Sequence, residues 1–277
     1  MCRWLAYSGD PLLIEDLIYR PAHSLVDQSL RARLGVETTN GDGFGIGWYA
    51  DTPTHEPAIF RSIGPAWSDR NLRELAGSVR TRLCFAHIRA STGTAVQQTN
   101  CHPFRHGQWL WMHNGAVVGW SKVKRDLMFA VDPSLFPFIE GSTDSEVMFY
   151  LALTFGLRED PPGAVARMAH LVEQVGFSHD IPNPMQMTVA TSDGERIWAF
   201  RYSTQRASRT LFVSADARTL WNLYPDHDIV RKFSADARLI VSEPVLDLEG
   251  AWQELPESSY LCVQPGDDDI APFEPKG

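Results

Sequence analysis

Cysteine is scarce in this chain and never clustered. The 277 residues contain four, Cys2, Cys84, Cys101 and Cys262, with no CxxC pair and no zinc-finger spacing. That argues against a disulfide framework and for a reducing, cytoplasmic setting. Basic runs are missing too: the formal charge is -9 and no Lys/Arg stripe appears, so a nucleic-acid partner is not expected. No apolar stretch approaches bilayer-spanning length, and the first residues lack the charged and apolar regions of a signal peptide, so no membrane association is expected. Repeats, low-complexity tracts and a dividing linker are also absent. With 44% hydrophobic and 21% charged residues, the chain can bury a large core. These features predict one unit over residues 1–277, ending in a solvated, flexible tail from about residue 265, where aspartates and Pro272 and Pro275 gather.

The first strand is expected at Cys2 to Tyr7, with Trp4 and Ala6 on one face and Arg3, Leu5 and Tyr7 on the other. Helical patterns follow at 11–18, 24–33, 67–79, 145–155 and 163–175, and strands at 44–49, 83–89 and 108–112. In the second half, strand patterns at 187–190, 196–201 and 211–214 read as an antiparallel meander with a turn at Ser192-Asp193-Gly194. Strands and helices arrive in blocks, which favours an α+β architecture.

Cys2 stands directly behind Met1. A small second side chain lets the methionine be removed, leaving a thiol and a free α-amine on one residue. A cysteine titrates near ~8.5 and an α-amine near ~7.7 to 8.0, so the amine can take the thiol proton close to neutral pH. Nucleophile and general base would then be one residue. A retained Met1 would acylate that amine. The plainer alternative is that Cys2 is only a small second residue.

Further segments carry chemical signals. In the run from Asn40 to Trp48 glycines recur every second residue, which matches neither a dinucleotide turn nor a Walker loop. It suggests a strand whose glycine side admits another backbone or a small ligand. Arg89, at the end of Ala86-His87-Ile88-Arg89, offers a planar fork suited to a carboxylate, and Thr92 could donate to the same group; a surface ion pair is the alternative. His113-Asn114-Gly115 reads as a hairpin turn that could also present the Asn114 amide and the Gly115 N–H as an oxyanion hole. In Gly141 to Glu146, Thr143 and Glu146 could form a capping box, while Asp144 could hold an ammonium group. Cys101-His102 is read as structural, because adjacent strand residues face opposite ways. His102 and His106 have a ligand-like spacing, but no cluster completes it, so no metal and no cofactor are expected. His87 and His113 read as hydrogen-bonded core residues.

Together these segments resemble one family. Met1-Cys-Arg3, Asp42 to Tyr49, His87-Ile-Arg89, Asn100 to Phe104, His113-Asn-Gly115, Thr143 to Glu146 and Ser242-Glu-Pro244 are similar to the class II glutamine amidotransferases, which are N-terminal nucleophile hydrolases. The likeness is to the compact stand-alone branch, with YafJ-like proteins and the γ-glutamyl hydrolase of ergothioneine synthesis. It implies a four-layer αββα sandwich of two antiparallel sheets flanked by helices. It implies that Cys2 is the nucleophile, that Arg89 and Thr92 bind the α-carboxylate of a glutaminyl group, that Asp144 binds its α-amine, and that Asn114 and Gly115 form the oxyanion hole. The expected reaction is hydrolysis of the amide of glutamine or of a γ-glutamyl small molecule through a Cys2 thioester. A glutaminase subunit feeding ammonia to a separate synthetase, or a silent glutamine-binding protein, are the alternatives. The sequence departs from the family at Ala90, where a bulky aromatic is common after the arginine.

Overall fold

An eleven-residue strand opens the fold, and its consecutive apolar residues serve two different cores, with Trp4 and Ala6 on one face and Leu5 and Tyr7 on the other. In the computed structural model, which describes residues 2–34, 39–50, 55–91, 93–264 and 268–277, that strand is β1 (Arg3–Leu13). The chain continues through α1 (Ile14–Ile18), α2 (Leu25–Arg31), β2 (Phe44–Trp48), β3 (Ala58–Ser62), α3 (Arg70–Ser78), β4 (Arg80–Ile88), β5 (Phe104–His106) and β6 (Trp109–Val117). Next come α4 (Trp120–Phe129), α5 (Asp144–Thr154), α6 (Pro161–Ser178), β7 (Met185–Ser192), β8 (Ile197–Ser203), β9 (Phe212–Ser214) and α7 (Ala217–Leu223). β10 (Arg238–Val241), β11 (Trp252–Glu254), β12 (Ser259–Val263) and β13 (Asp269–Pro272) complete it.

Among the described residues the strands form two antiparallel sheets. One has the order β11-β9-β10-β1-β4-β2-β3 and the other β13-β12-β8-β7-β6-β5. Trp4, Ala6, Leu83 and Phe85 of the first sheet pack between the sheets against Leu110, Met112, Ala190 and Leu261 of the second. Leu5, Tyr7, Ala86 and Ile46 face the other way, toward Leu17, Leu72 and Leu220 of α1, α3 and α7. On the far side, Trp111, Met187 and Phe200 pack under Phe149, Met168 and Val172 of α5 and α6. The result is the αββα layering. Each sheet is buried on both faces, so the buried strands read as long apolar runs.

Several expectations change. The helix expected from Pro11 begins only at Ile14, because β1 runs on through a register shift between Ser8 and Leu12, and a bulge is a place where a strand tolerates proline. The expected three-strand meander stops after β8. Its third strand, β9, leaves for the other sheet and pairs with β10 and β11. Nor is the end of the chain a solvated tail over Asp269 to Phe273: β13 pairs with β12, and Phe273 is buried against Phe200 and Tyr202. Residues 265–267 lie outside the described residues.

Candidate active site

The register of the first sheet brings the start of β1 level with the end of β4. Arg3 pairs with Ile88 and Trp4 with His87, so Cys2 lies beside Arg89, and its Sγ donates to the Ala90 carbonyl at 3.6 Å. Arg3 is buried and forms an ion pair with buried Glu243 at 3.1 Å. Glu243 also bonds to His23 and accepts from the N–H groups of Arg33 and Leu34, each at 2.9 Å. Burial alone would raise the Glu243 carboxyl, but the bonds from His23, Arg33 and Leu34, with the Arg3 charge, bring it below its ordinary value. The Ser242-Glu-Pro244 segment thus anchors the strand start that carries Cys2.

Arg89 is 3% exposed, and no carboxylate pairs with it among the described residues, which rules out a surface ion pair. Its guanidinium donates to Asp42 O at 3.3 Å, Ser91 Oγ at 3.1 Å, Thr94 Oγ1 at 2.6 Å and Ala95 O at 3.2 Å. The glycine run holds the wall behind it. Gly43, with φ +112°, accepts at its carbonyl from the Arg89 N–H at 2.8 Å, and a Cβ there would meet Cys101 Sγ at 2.6 Å. At Gly45 a side chain would run into the His102 carbonyl, so the glycine face admits another backbone, as its spacing suggests. Thr92 lies outside the described residues. Ser91, to which the sequence reading assigns no role, and Thr94, which it does not single out, are the hydroxyls seen on the guanidinium.

Asp144 opens α5 behind the N-cap Thr143, whose Oγ1 accepts from the Glu146 N–H at 3.2 Å. The reciprocal half of a capping box is not formed. Glu146 instead accepts from the N–H groups of Glu140 at 2.9 Å and Gly141 at 2.7 Å. Asp144 Oδ2 accepts from the Val117 N–H at 2.7 Å and Oδ1 from the Ser145 N–H at 2.7 Å, which ties the carboxylate to the end of β6. Asn100, fully buried, joins the two loops that carry the opposite charges: its amide donates to Ala95 O at 2.9 Å and accepts from the Ser142 N–H at 2.8 Å.

His113-Asn114-Gly115 is not a turn. β6 runs straight through it, pairing Asn114 with Thr188 and Gly115 with Met187 along β7. Eight consecutive ladder pairs outweigh the local preference of Asn-Gly for a tight turn. Asn114 alternates with Met112 and so points between the sheets, as Cys2 does by alternation with Trp4. A hydrogen-bonded bridge spans the sheets there: Trp4 Nε1 donates to Thr188 Oγ1 at 3.3 Å, and that hydroxyl donates to the Asn114 carbonyl at 3.2 Å. Among the described residues the Asn114 side chain has no hydrogen-bond partner. On the outer face, His113 Nδ1 meets Ser145 Oγ at 2.8 Å and its carbonyl meets His87 Nε2 at 3.2 Å, so both histidines are structural, as their sequence context suggests. Burial holds His87 down at about 3 and lowers His102 and His113 as well.

Burial also pushes the Cys2 thiol above its ordinary value; the Ala90 contact and the Arg89 charge oppose this, and the Asp144 charge adds to it. Both charges therefore reach the sulfur. Beside Asn114 a cavity of about 170 Å³ is lined by Arg3, Leu34, Ser208, Arg209, Thr210 and Ser242. Larger hollows of about 500 and 660 Å³ touch neither Cys2, Arg89, Asn114 nor Asp144. Among the described residues no His, Cys, Asp or Glu cluster could hold a metal ion, and no helix is long and apolar enough to cross a membrane.

Comparison with known proteins identifies the family. The family model for class-II glutamine amidotransferases matches residues 17–271. A probable glutamine amidotransferase, DUG3, of Saccharomyces cerevisiae is 32% identical over 95% of this chain and 82% of its own length. The gamma-glutamyl-hercynylcysteine sulfoxide hydrolase of Mycolicibacterium smegmatis is 34% identical over 42% of this chain and 52% of its length. Among solved structures, a glutamine aminotransferase class-II domain protein from Silicibacter pomeroyi covers all of both chains at 31% identity and a TM-score of 0.76. The glutamine phosphoribosylpyrophosphate amidotransferase of B. subtilis shares the fold over 99% of this chain and 50% of its own, at 15% identity and a TM-score of 0.65. The chain belongs to the class-II glutamine amidotransferases and is an enzyme of that family.

Proposed function

We propose that the protein hydrolyses the amide of glutamine or of a γ-glutamyl small molecule through a thioester on Cys2. The observation that carries this reading is Arg89: a buried guanidinium with no carboxylate partner among the described residues, beside a cysteine, on a loop that Asn100 ties to the segment opening into Asp144. A buried cation without a counter-ion is costly unless a ligand supplies one. The α-carboxylate of a glutamyl group meets Arg89 and its α-ammonium meets Asp144. Two fixed charges of opposite sign orient that headgroup and set its γ-carbonyl carbon before the thiol.

Removal of Met1 frees the Cys2 amine. Because burial raises the thiol, the sulfur is protonated at neutral pH and needs a base, and the amine of the same residue is that base. The Sγ–C bond forms as the proton moves to the amine, and the Asn114 amide with the Gly115 N–H stabilises the oxyanion. The resulting ammonium protonates the leaving nitrogen as the C–N bond breaks. Water, activated by the same amine, then adds to the thioester carbon, and the C–S bond breaks to release glutamate. The relative named as a gamma-glutamyl hydrolase supports hydrolysis over transfer to a second substrate.

The test is glutamate release from glutamine and a panel of γ-glutamyl amides, using protein whose intact mass shows loss of Met1. Cys2→Ala is expected to lose turnover with unchanged circular dichroism and melting temperature. Equal release by both proteins would end the assignment.

A further inference from the structure

Cys2 heads a central strand, and its two flanks differ. On the β4 side lie Arg89 and its hydroxyl cage. On the β10 side lies the 170 Å³ cavity, bounded by Ser242, which is bonded to the Trp4 backbone, by Asn114, and by residues 208–210 of the segment that carries the chain from one sheet to the other. A γ-glutamyl amide whose headgroup occupies the first flank, with its carbonyl oxygen at Asn114, points its amine portion toward the second. The cavity equals the liquid volume of roughly five or six waters, far more than ammonia fills and enough for a small amino acid.

Two cations line this cavity. Arg3 is neutralised by Glu243, but Arg209 is not. Among the described residues Arg209 makes no ion pair and no side-chain hydrogen bond, and its Nε is buried without a partner. Its charge reaches Arg3, whose pKa burial already lowers, so the two guanidinium groups stand in mutual repulsion that an anion between them would relieve. We infer that Arg209 binds a carboxylate on the leaving amine, which makes γ-glutamyl amino acids and peptides, rather than glutamine itself, the preferred substrate class. This rests on the hydrolase reading of Cys2. The balance is simple: the γ-glutamyl amino acid takes up one water, the amide C–N bond breaks, and glutamate and the free amino acid leave.

The experiment compares kcat/KM for γ-glutamylglycine and γ-glutamylglycinamide, which differ only in that terminal charge, with glutamine as a third substrate. The processed wild-type protein is expected to favour the carboxylate by at least about tenfold, as a charge-assisted bond to arginine implies. In Arg209→Gln the ratio should fall toward one, and in Arg209→Lys part of it should survive. A wild-type ratio near one, or the same ratio in Arg209→Gln, would overturn the role of Arg209 while leaving the hydrolase reading intact. Failure of the wild-type protein to cleave any of the three compounds would overturn both.

Discussion

Replacing Glu243 with alanine removes the counter-ion that holds the start of β1. The carboxylate bonds to Arg3, His23 and the N–H groups of Arg33 and Leu34, and both members of the ion pair are almost fully buried, at 3% and 2% exposure. Deleting one partner of such a pair leaves an uncompensated charge and costs about 3–5 kcal/mol. Against a total stability on the order of 5–15 kcal/mol, that is a large fraction. It should appear as a fall in the urea midpoint with little change in slope. The reasoning makes a second, sharper demand. If the cost comes from the stranded Arg3 cation, then adding Arg3→Met should restore part of the stability, because the double variant strands nothing. A double-mutant cycle reads this directly, with a coupling well above the ~0.5 kcal/mol at which independent sites add. A Glu243→Ala midpoint within ~0.5 kcal/mol of wild type, or strictly additive single and double variants, would refute the account.

Arg89→Met should raise KM for glutamine by about a hundredfold or more, since it strands the bound carboxylate, and should change kcat less; an unchanged dependence on glutamine concentration in initial-rate assays would remove Arg89 from the headgroup site. The buried histidines predict acid sensitivity. Unfolded His87 takes up a proton below about 6.5, whereas burial delays this in the folded chain to about 3, so its stabilising effect is complete above 6.5 and drains away between those limits. Glu243, whose folded value is lowered, adds its own loss only at lower pH, below about 4.3. The urea midpoint should therefore be lower at pH 4.5 than at 7.5, and less so in His87→Leu; a midpoint that ignores this change would show that the imidazole is not held neutral by burial.

Much of the fold, and the segments that carry Arg89 and Asp144 of the candidate site, are legible because they rest on local patterns. Alternation in β1 separates Trp4 from Leu5, and Thr143 with Glu146 marks the start of α5 within a residue. The glycines of β2 are readable as a close approach, though only the fold brings the His102 carbonyl there as the visitor. What failed depended on distant pairing. Asn114-Gly115 carries a strong turn signal, yet β7 supplies a partner for every residue from Leu110 to Val117. The aspartates near the end suggested a solvated tail, but Phe273 contributes enough apolar surface to dock on Phe200 and Tyr202 once β12 offers an edge. Arg209 carries no signal at all in the sequence, because its significance lies in lacking a partner, and only the folded chain shows who the neighbours are.

The placement of β1 between β10 and β4 has a practical bearing. Amino ends of most proteins fray first, so their chemistry is exposed to whatever the solvent brings. Here the opening residues are stitched on both sides, and peeling them away means dismantling the middle of a sheet. Amide protons of Trp4 to Tyr7 should exchange only when the whole molecule opens, and a thiol-directed reagent should meet the half-buried Cys2 in the folded chain rather than by waiting for the strand to come loose.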